Sequence, residues 1–157
     1  MELLFDRGAL FEFMGSGWSI PLHLAVDQGH TGVVELLLGK GASVQSIGQY
    51  LSTPLHDVAL AGRTGVVELL LGRGALINDW DGDCDTPLHN AISEGHTGVV
   101  ELLVEKGASI TAKNISGMTP LGLAEQYGRT DTIQLLTSKL AEPAVRDTCR
   151  RSLASIF

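Results

Sequence analysis

Thr86-Pro87-Leu88-His89-Asn90-Ala91-Ile92-Ser93-Glu94-Gly95-His96-Thr97-Gly98-Val99-Val100-Glu101-Leu102-Leu103 is the stretch that decides the fold. Thr86 before Pro87 reads as a helix N-cap followed by proline at the first helical position. There the hydroxyl accepts from an orphan N–H and the proline has no N–H to leave unpaired. The helix that follows runs about eight residues and stops at Gly95, where a left-handed C-cap suits glycine. Thr97 is then expected to cap a second helix carrying Val99 to Val104, which ends at Gly107 in the C′ position. The residues from there to the next Thr-Pro read as an extended turn or hairpin.

Moving outward, the same grammar recurs at a fixed step. Pro21, Pro54, Pro87 and Pro120 are each 33 residues apart. Glu2, Glu35, Glu68 and Glu101 keep that step, with Gln134 in the next slot. Two glycine series, Gly8-Gly41-Gly74-Gly107 and Gly29-Gly62-Gly95-Gly128, follow the same register. Self-similarity at such a period marks a stacked repeat. Thr53 and Thr64 take the roles of Thr86 and Thr97 one repeat earlier.

Thr-Pro-Leu-His at this spacing, followed by Gly-His-Thr-Gly-Val-Val-Glu-Leu-Leu, resembles the ankyrin repeat. The resemblance covers residues 1 to about 140. It implies an all-α fold, an ankyrin-repeat solenoid of helix-turn-helix-hairpin units. A partial repeat is expected at 1–14, then four units at 15–47, 48–80, 81–113 and 114–140. Departures from the pattern are Ile20 in place of the capping threonine, Gly122 in place of the histidine, and Val58 where other units carry alanine. The family's Thr–His hydrogen bond is therefore possible only for Thr53 with His56 and Thr86 with His89. Val58 is expected to widen the packing of its helix. Leu3, Leu4 and Phe5 would lack a covering helix, which suggests a fragment, a shortened isoform or fraying at that end. Leu69 and Leu102 are expected to stack between repeats, so that alanine at either costs on the order of 2–5 kcal/mol.

Composition narrows the function classes. The chain has 157 residues, 44% hydrophobic and 5% aromatic, enough for one domain with a core of small aliphatics. No apolar run reaches the roughly 18 residues of a membrane span. Met1 to Arg7 is not a secretory signal, because acidic residues interrupt its apolar stretch. Two cysteines, Cys84 and Cys149, are too few for a disulfide framework, so an intracellular, reducing setting is expected. Lys139, Arg146, Arg150 and Arg151 against Glu142 and Asp147 give residues 139–157 a net +2, which leaves −9 for the remainder of a chain whose total is −7. Such a body argues against binding nucleic acid through phosphates.

Chemistry-bearing residues fall to plainer readings. His23, His56 and His89, like His30 and His96, are separated by whole repeats, roughly 10 Å per repeat, too far to share a metal. Asp79 to Asp85 fails as a calcium loop, with Cys84 at the glycine position and Asn90 at the position of the bidentate glutamate. No phosphate loop, nucleophile elbow or helical zinc motif is present. No catalytic, cofactor or metal residue is assigned, and no enzyme is expected.

What the repeats do not share is where function is sought. In the ankyrin family the loop tips and the exposed ends of the first helices line the groove that grips partners. By register these are Gln49, Tyr50 and Leu60; Gly82, Asp83, Asp85, Ser93 and Glu94; and Ile115, Met118, Gln126 and Tyr127. Ile47 and Trp80 hold the matching position before each loop tip, where Trp80 either meets the partner or packs between hairpins. Aromatics among carboxylates imply a protein partner with basic and apolar residues. A monomer acting as a non-catalytic interaction scaffold is the leading expectation.

Residues 141–157 leave the repeat at Pro143. Val145, Cys149, Leu153 and Phe157 stand four apart, which suits a short amphipathic helix capping the stack. The same stretch resembles the first part of the elongin-binding box of the ankyrin-repeat and suppressor-of-cytokine-signalling-box family, through Val145, Cys149 and Leu153. That resemblance implies the runner-up function, a substrate adaptor of a cullin ubiquitin ligase.

Overall fold

The computed structural model of the protein describes residues 21–142. The expected partial repeat at 1–14, Ile20, and the tail residues Val145, Cys149 and Leu153 lie outside them. The chain forms α1 (Pro21–Asp27), α2 (Thr31–Gly39), α3 (Pro54–Ala61), α4 (Thr64–Gly72), α5 (Pro87–Glu94), α6 (Thr97–Glu105), α7 (Pro120–Gln126) and α8 (Thr130–Ala141), with a 3-10 turn at Gln49–Leu51. The loops between repeats contain turns and bends, and no strand occurs among the described residues.

The helices form two layers. One stacks α1, α3, α5 and α7 in order, the other α2, α4, α6 and α8, and each helix also packs on its partner in the same repeat. The seam between the layers is the core. Leu22, Leu55 and Leu88 fill it from the first layer, and Leu37, Leu70, Leu103 and Leu136 from the second. Leu69 is only half-buried, so Leu70 carries the stacking in that repeat, whereas Leu102 is buried in the core as expected, beside Leu103. Consecutive helical side chains point about 100° apart, and of Leu69 and Leu70 only the second is fully buried in the seam. Val58 is fully buried.

Thr53, Thr86 and Thr119 cap the first helices, each with extended backbone and a proline next. Gly62 and Gly95 close α3 and α5 in the left-handed conformation, at φ 71° and 80°. Thr64 and Thr97 do not cap the second helices. They begin the helix, and the cap positions fall on Arg63 and His96, neither of which makes a side-chain capping bond. Those residues turn back to the preceding repeat instead. The Nε2 of His96 donates to the carbonyl of Leu60 at 2.8 Å. One repeat on, Arg129 donates from Nε to Ile92 O at 3.3 Å and from Nη2 to Ser93 O at 2.6 Å. Both satisfy carbonyls orphaned at the C-terminus of a first helix, where positive charge is favoured.

Candidate functional site: an acidic cleft between first helices and loop tips

A cleft of about 520 Å³ runs along the first layer, from His23, Leu24 and Asp27 of α1 to Tyr127 after α7. The two middle repeats each lend a helix wall and a loop tip, so the geometry of those loops decides what the cleft presents.

Two of the loops are built alike. Asp81 Oδ1 accepts from the backbone N–H groups of Asp83 and Asp85, both at 3.0 Å. Asn114, 33 residues later, accepts from Ser116 at 3.1 Å and Met118 at 3.0 Å. These side chains organise the turn by bonding the backbone two and four residues on. The tips are also tied to each other: Gly82 N–H donates to Tyr50 O at 2.7 Å, and Ile115 N–H to Asp83 O at 2.9 Å. A Cβ at Gly82 would lie 2.8 Å from that Tyr50 oxygen, so a side chain there requires the two tips to shift.

Beneath the loops sit the three histidines. Thr53 N–H donates to His56 Nδ1 at 3.2 Å, and the Thr53 hydroxyl lies 2.8 Å from the same atom. With Nδ1 accepting, Nε2 carries the proton and donates to the carbonyls of Asp79 and Asp85, both at 3.1 Å. Thr86 and His89 repeat the arrangement, with Met118 O at 3.2 Å as the acceptor. Burial pushes the His89 pKa down, opposed by its bond to Met118 and by Asp85 and Asp81. Where Gly122 replaces histidine, the Thr119 hydroxyl accepts from Gly122 N–H at 3.2 Å instead.

His23 differs. Its Nδ1 faces the carboxylate of Asp57 in the next repeat, and its Nε2 faces the carbonyl and hydroxyl of Ser46. The ring fills the space that an Asx residue would need at position 48, since a Cβ at Gly48 would lie 2.7 Å from it. The first loop therefore lacks the side chain that organises the other two. Its Tyr50 and Leu51 adopt left-handed backbone, at φ 54° and 59°.

Five carboxylates line the cleft: Asp27, Asp57, Asp81, Asp83 and Asp85. Among the described residues, no lysine or arginine lines it or pairs with these five. Asp57 meets His23, Asp81 is taken up by its own loop, and Asp85 accepts from Asn114 Nδ2 at 2.9 Å. Burial raises the pKa of Asp85, partly offset by that hydrogen bond and by His89, and reinforced by Asp81 and Asp83. A concave wall of one sign attracts cations. Tyr50, 86% exposed, and Tyr127, 49% exposed, add aromatic surface to the cleft, and the Arg129 guanidinium stands 5.8 Å from the centre of the Tyr127 ring.

Of the residues expected by register, Gln49, Tyr50, Leu60, Asp83, Asp85, Ser93 and Tyr127 come together in this cleft. Ile47, Trp80, Glu94, Ile115 and Gln126 are exposed outside its lining. Gly82 serves the contact between tips. Met118 is half-buried against the core, with its carbonyl receiving His89. Asp27, Asp57 and Asn90 were not among the expected residues, and neither was Asp81, the neighbour of the expected Gly82. Asp27 shares the register of Leu60, Ser93 and Gln126, and Asp57 and Asn90 share the variable position after each histidine. The register argument reaches all three once it is extended to the first unit and to the helix start.

The family model for ankyrin repeats (3 copies) matches residues 2–81 and 55–147. The chain belongs to the ankyrin-repeat family. Its paired helices and capped Thr-Pro turns are those of ankyrin repeats, which are generally protein–protein interaction modules. No curated protein shows significant similarity to the chain. Among the described residues of this ankyrin-repeat protein, no three metal-ligating side chains gather, and no helix is long and apolar enough to cross a membrane.

Proposed function

We propose that this ankyrin-repeat protein is a non-catalytic binding module whose cleft takes a segment of a partner protein, with a lysine or arginine flanked by apolar residues. The observation that carries the reading is a cleft that, among the described residues, is lined by five aspartates without a lysine or arginine, and walled by Leu60, Tyr50 and Tyr127. The cation answers the carboxylates, and the apolar residues cover surface that costs free energy to leave in water.

The test is selection from a random peptide library by the full chain, repeated with Asp27→Asn/Asp83→Asn and with Tyr127→Ala. Enrichment of basic–apolar peptides is expected. Affinity for them should fall about two- to five-fold per aspartate, as for exposed ion pairs, and roughly ten-fold for Tyr127→Ala. Enrichment without basic residues, or unchanged affinity in both variants, would overturn the assignment.

A further inference from the structure

We propose that the partner segment lies along the stack as a polyproline-II stretch, with its basic side chain on Asp83 and an apolar side chain three residues away on either side. This rests on the reading of the cleft as a site for basic and apolar residues.

Four of the five cleft carboxylates are already engaged. Asp57 meets His23, Asp27 accepts from Gln28 Nε2 at 2.9 Å, and Asp85 accepts from Asn114. Asp81 holds its own loop through Oδ1 and accepts from Asn90 Nδ2 at 3.3 Å through Oδ2. Among the described residues the Asp83 side chain accepts nothing, while its backbone is tied at both ends: its N–H donates to Asp81 Oδ1 and its carbonyl accepts from Ile115 N–H. A carboxylate held in place with its acceptor capacity unspent is the one a partner's cation gains most from meeting. One repeat before Asp83, the same loop position holds exposed Tyr50, with exposed Leu60 at the end of α3. One repeat beyond, the lining is Tyr127. Between them, the described residues that line the cleft from the repeat of α5 are Asp81, Asp83, Asp85, Asn90 and Ser93, none of them apolar. Three successive repeats therefore present apolar, acidic and aromatic surface in turn.

The spacing of the repeats selects the conformation. Neighbouring helices in a layer stand about 8–10 Å apart, so equivalent positions of successive repeats recur at that step. A polyproline-II chain has three residues per turn and rises about 3.1 Å per residue, which brings side chains three apart onto one face about 9.3 Å from each other. A β-strand puts every second side chain on one face, about 6.6–6.8 Å apart and out of step with the repeats. An α-helix matches the step only over about seven residues, and with side chains it is about 10–12 Å across. The cleft, about 520 Å³ spread over the roughly 24–30 Å from α1 to α7, has a mean cross-section near 20 Å², which such a helix overfills. Exposed tyrosines beside the groove are the kind of surface on which polyproline-II chains pack. Because the apolar residues flank the basic one at equal steps, the pattern reads the same in both chain directions.

The experiment measures binding of fluorescent peptides to the full chain at low salt. The peptides share length and composition, one arginine and two leucines in a proline–alanine background. They differ only in placing each leucine two, three or four residues from the arginine. The step-three peptide should bind about five-fold or more tightly than the other two. Replacing the prolines between its leucines and arginine by glycine should weaken it about two-fold for each proline, because a freer chain must then be ordered on binding. Asp83→Asn should lower its affinity about two- to five-fold, and Tyr50→Ala/Leu60→Ala about five-fold or more. Glu68→Gln, an equal change of charge at an exposed position of α4, should leave the affinity unchanged. The comparison among peptides is made on the wild-type protein, so it stands whether or not a variant folds.

Equal affinities for the three peptides, or a preference for step two or step four, overturn the proposal and leave the cleft assignment standing. Indifference to glycine in place of proline overturns it too, since the bound chain would then gain nothing from being pre-set in that conformation. An equal loss in Asp83→Asn and Glu68→Gln removes Asp83 as the receptor of the cation. If none of the peptides binds, the cleft reading itself falls, because all three carry the basic and apolar residues it requires.

Discussion

Leu51, Cys84 and Gly117 stand 33 residues apart, at the same point of successive loops, and all three have left-handed backbone, at φ 59°, 57° and 75°. Only the third is a residue suited to it. For an L-amino acid this conformation brings Cβ close to the following carbonyl oxygen, at about 1–2 kcal/mol per residue. Replacing Leu51 or Cys84 by glycine relieves that cost. Glycine's greater freedom in the unfolded chain offsets about 0.5–1 kcal/mol of it. Leu51 is 62% exposed, so little packing is lost with its side chain. The expected net gain is about 0.5–1 kcal/mol for Leu51→Gly, and somewhat less for half-buried Cys84. In a protein of this size each kcal/mol moves the midpoint by roughly 2–4 °C, so Leu51→Gly should melt about 1–4 °C higher. Gly117→Ala imposes the same conformation on a side chain and should melt about 2–4 °C lower. The assay is thermal and urea unfolding followed by far-UV circular dichroism, with the urea midpoint shifting at constant slope. If both glycine substitutions were neutral or destabilising, and Gly117→Ala cost nothing, the left-handed assignment of this loop position would be refuted.

Burial holds His89 neutral in the folded protein, so its contribution to stability is present above the ordinary histidine value of 6.5 and is lost as pH falls below it. Asp85, raised by burial, acts in the opposite sense at more acid pH, contributing stability that is lost as pH rises through its raised folded value. Unfolding free energy should therefore decline from pH 7.5 to about 5.5, and more shallowly in His89→Gln; identical slopes would sink the idea. Leu70→Ala is expected to cost on the order of 2–5 kcal/mol and Leu69→Ala distinctly less, because only Leu70 is fully buried in the seam; urea denaturation giving equal losses would contradict the assigned faces. Arg129→Ala should cost about 1–2 kcal/mol by uncovering the carbonyls of Ile92 and Ser93, and Arg129→Lys should recover only part of it, since an ammonium cannot bridge both; full recovery by lysine would show that charge alone matters.

Much of the architecture was legible in the residues themselves. A 33-residue step shared by prolines, glutamates and glycines leaves each helix pair a single register, and the Thr-Pro pairs and closing glycines mark first-helix ends without tertiary information. The pairing of Thr53 with His56 and Thr86 with His89 was implied by the resemblance to the ankyrin repeat, and both contacts are present. Misreadings arose where a local signal was outweighed by a neighbouring repeat. Thr64 and Thr97 look like caps, yet the cap position falls on Arg63 and His96, and His96 bonds a carbonyl 36 residues away. Leu69 and Leu70 are equally apolar in sequence, and only the stacking selects which faces the seam.

The cleft divides in the same way. Its register positions were readable as the residues that the repeats do not share. Three features came only from the tertiary structure: the union of carboxylates from three repeats, the meeting of His23 with Asp57, and the left-handed loop position. Within one repeat His23 differs from His56 only by lacking a threonine; across the stack that absence leaves its Nδ1 facing the next helix and its ring against Gly48. Likewise, one glycine among Leu51, Cys84 and Gly117 gives no periodic signal, so the shared backbone conformation is invisible until the loops are built. Capping, turns and periodicity act within a few residues and are therefore written in the chain; the charge and shape of the cleft arise between residues about 33 positions apart, and only stacking the repeats brings them together.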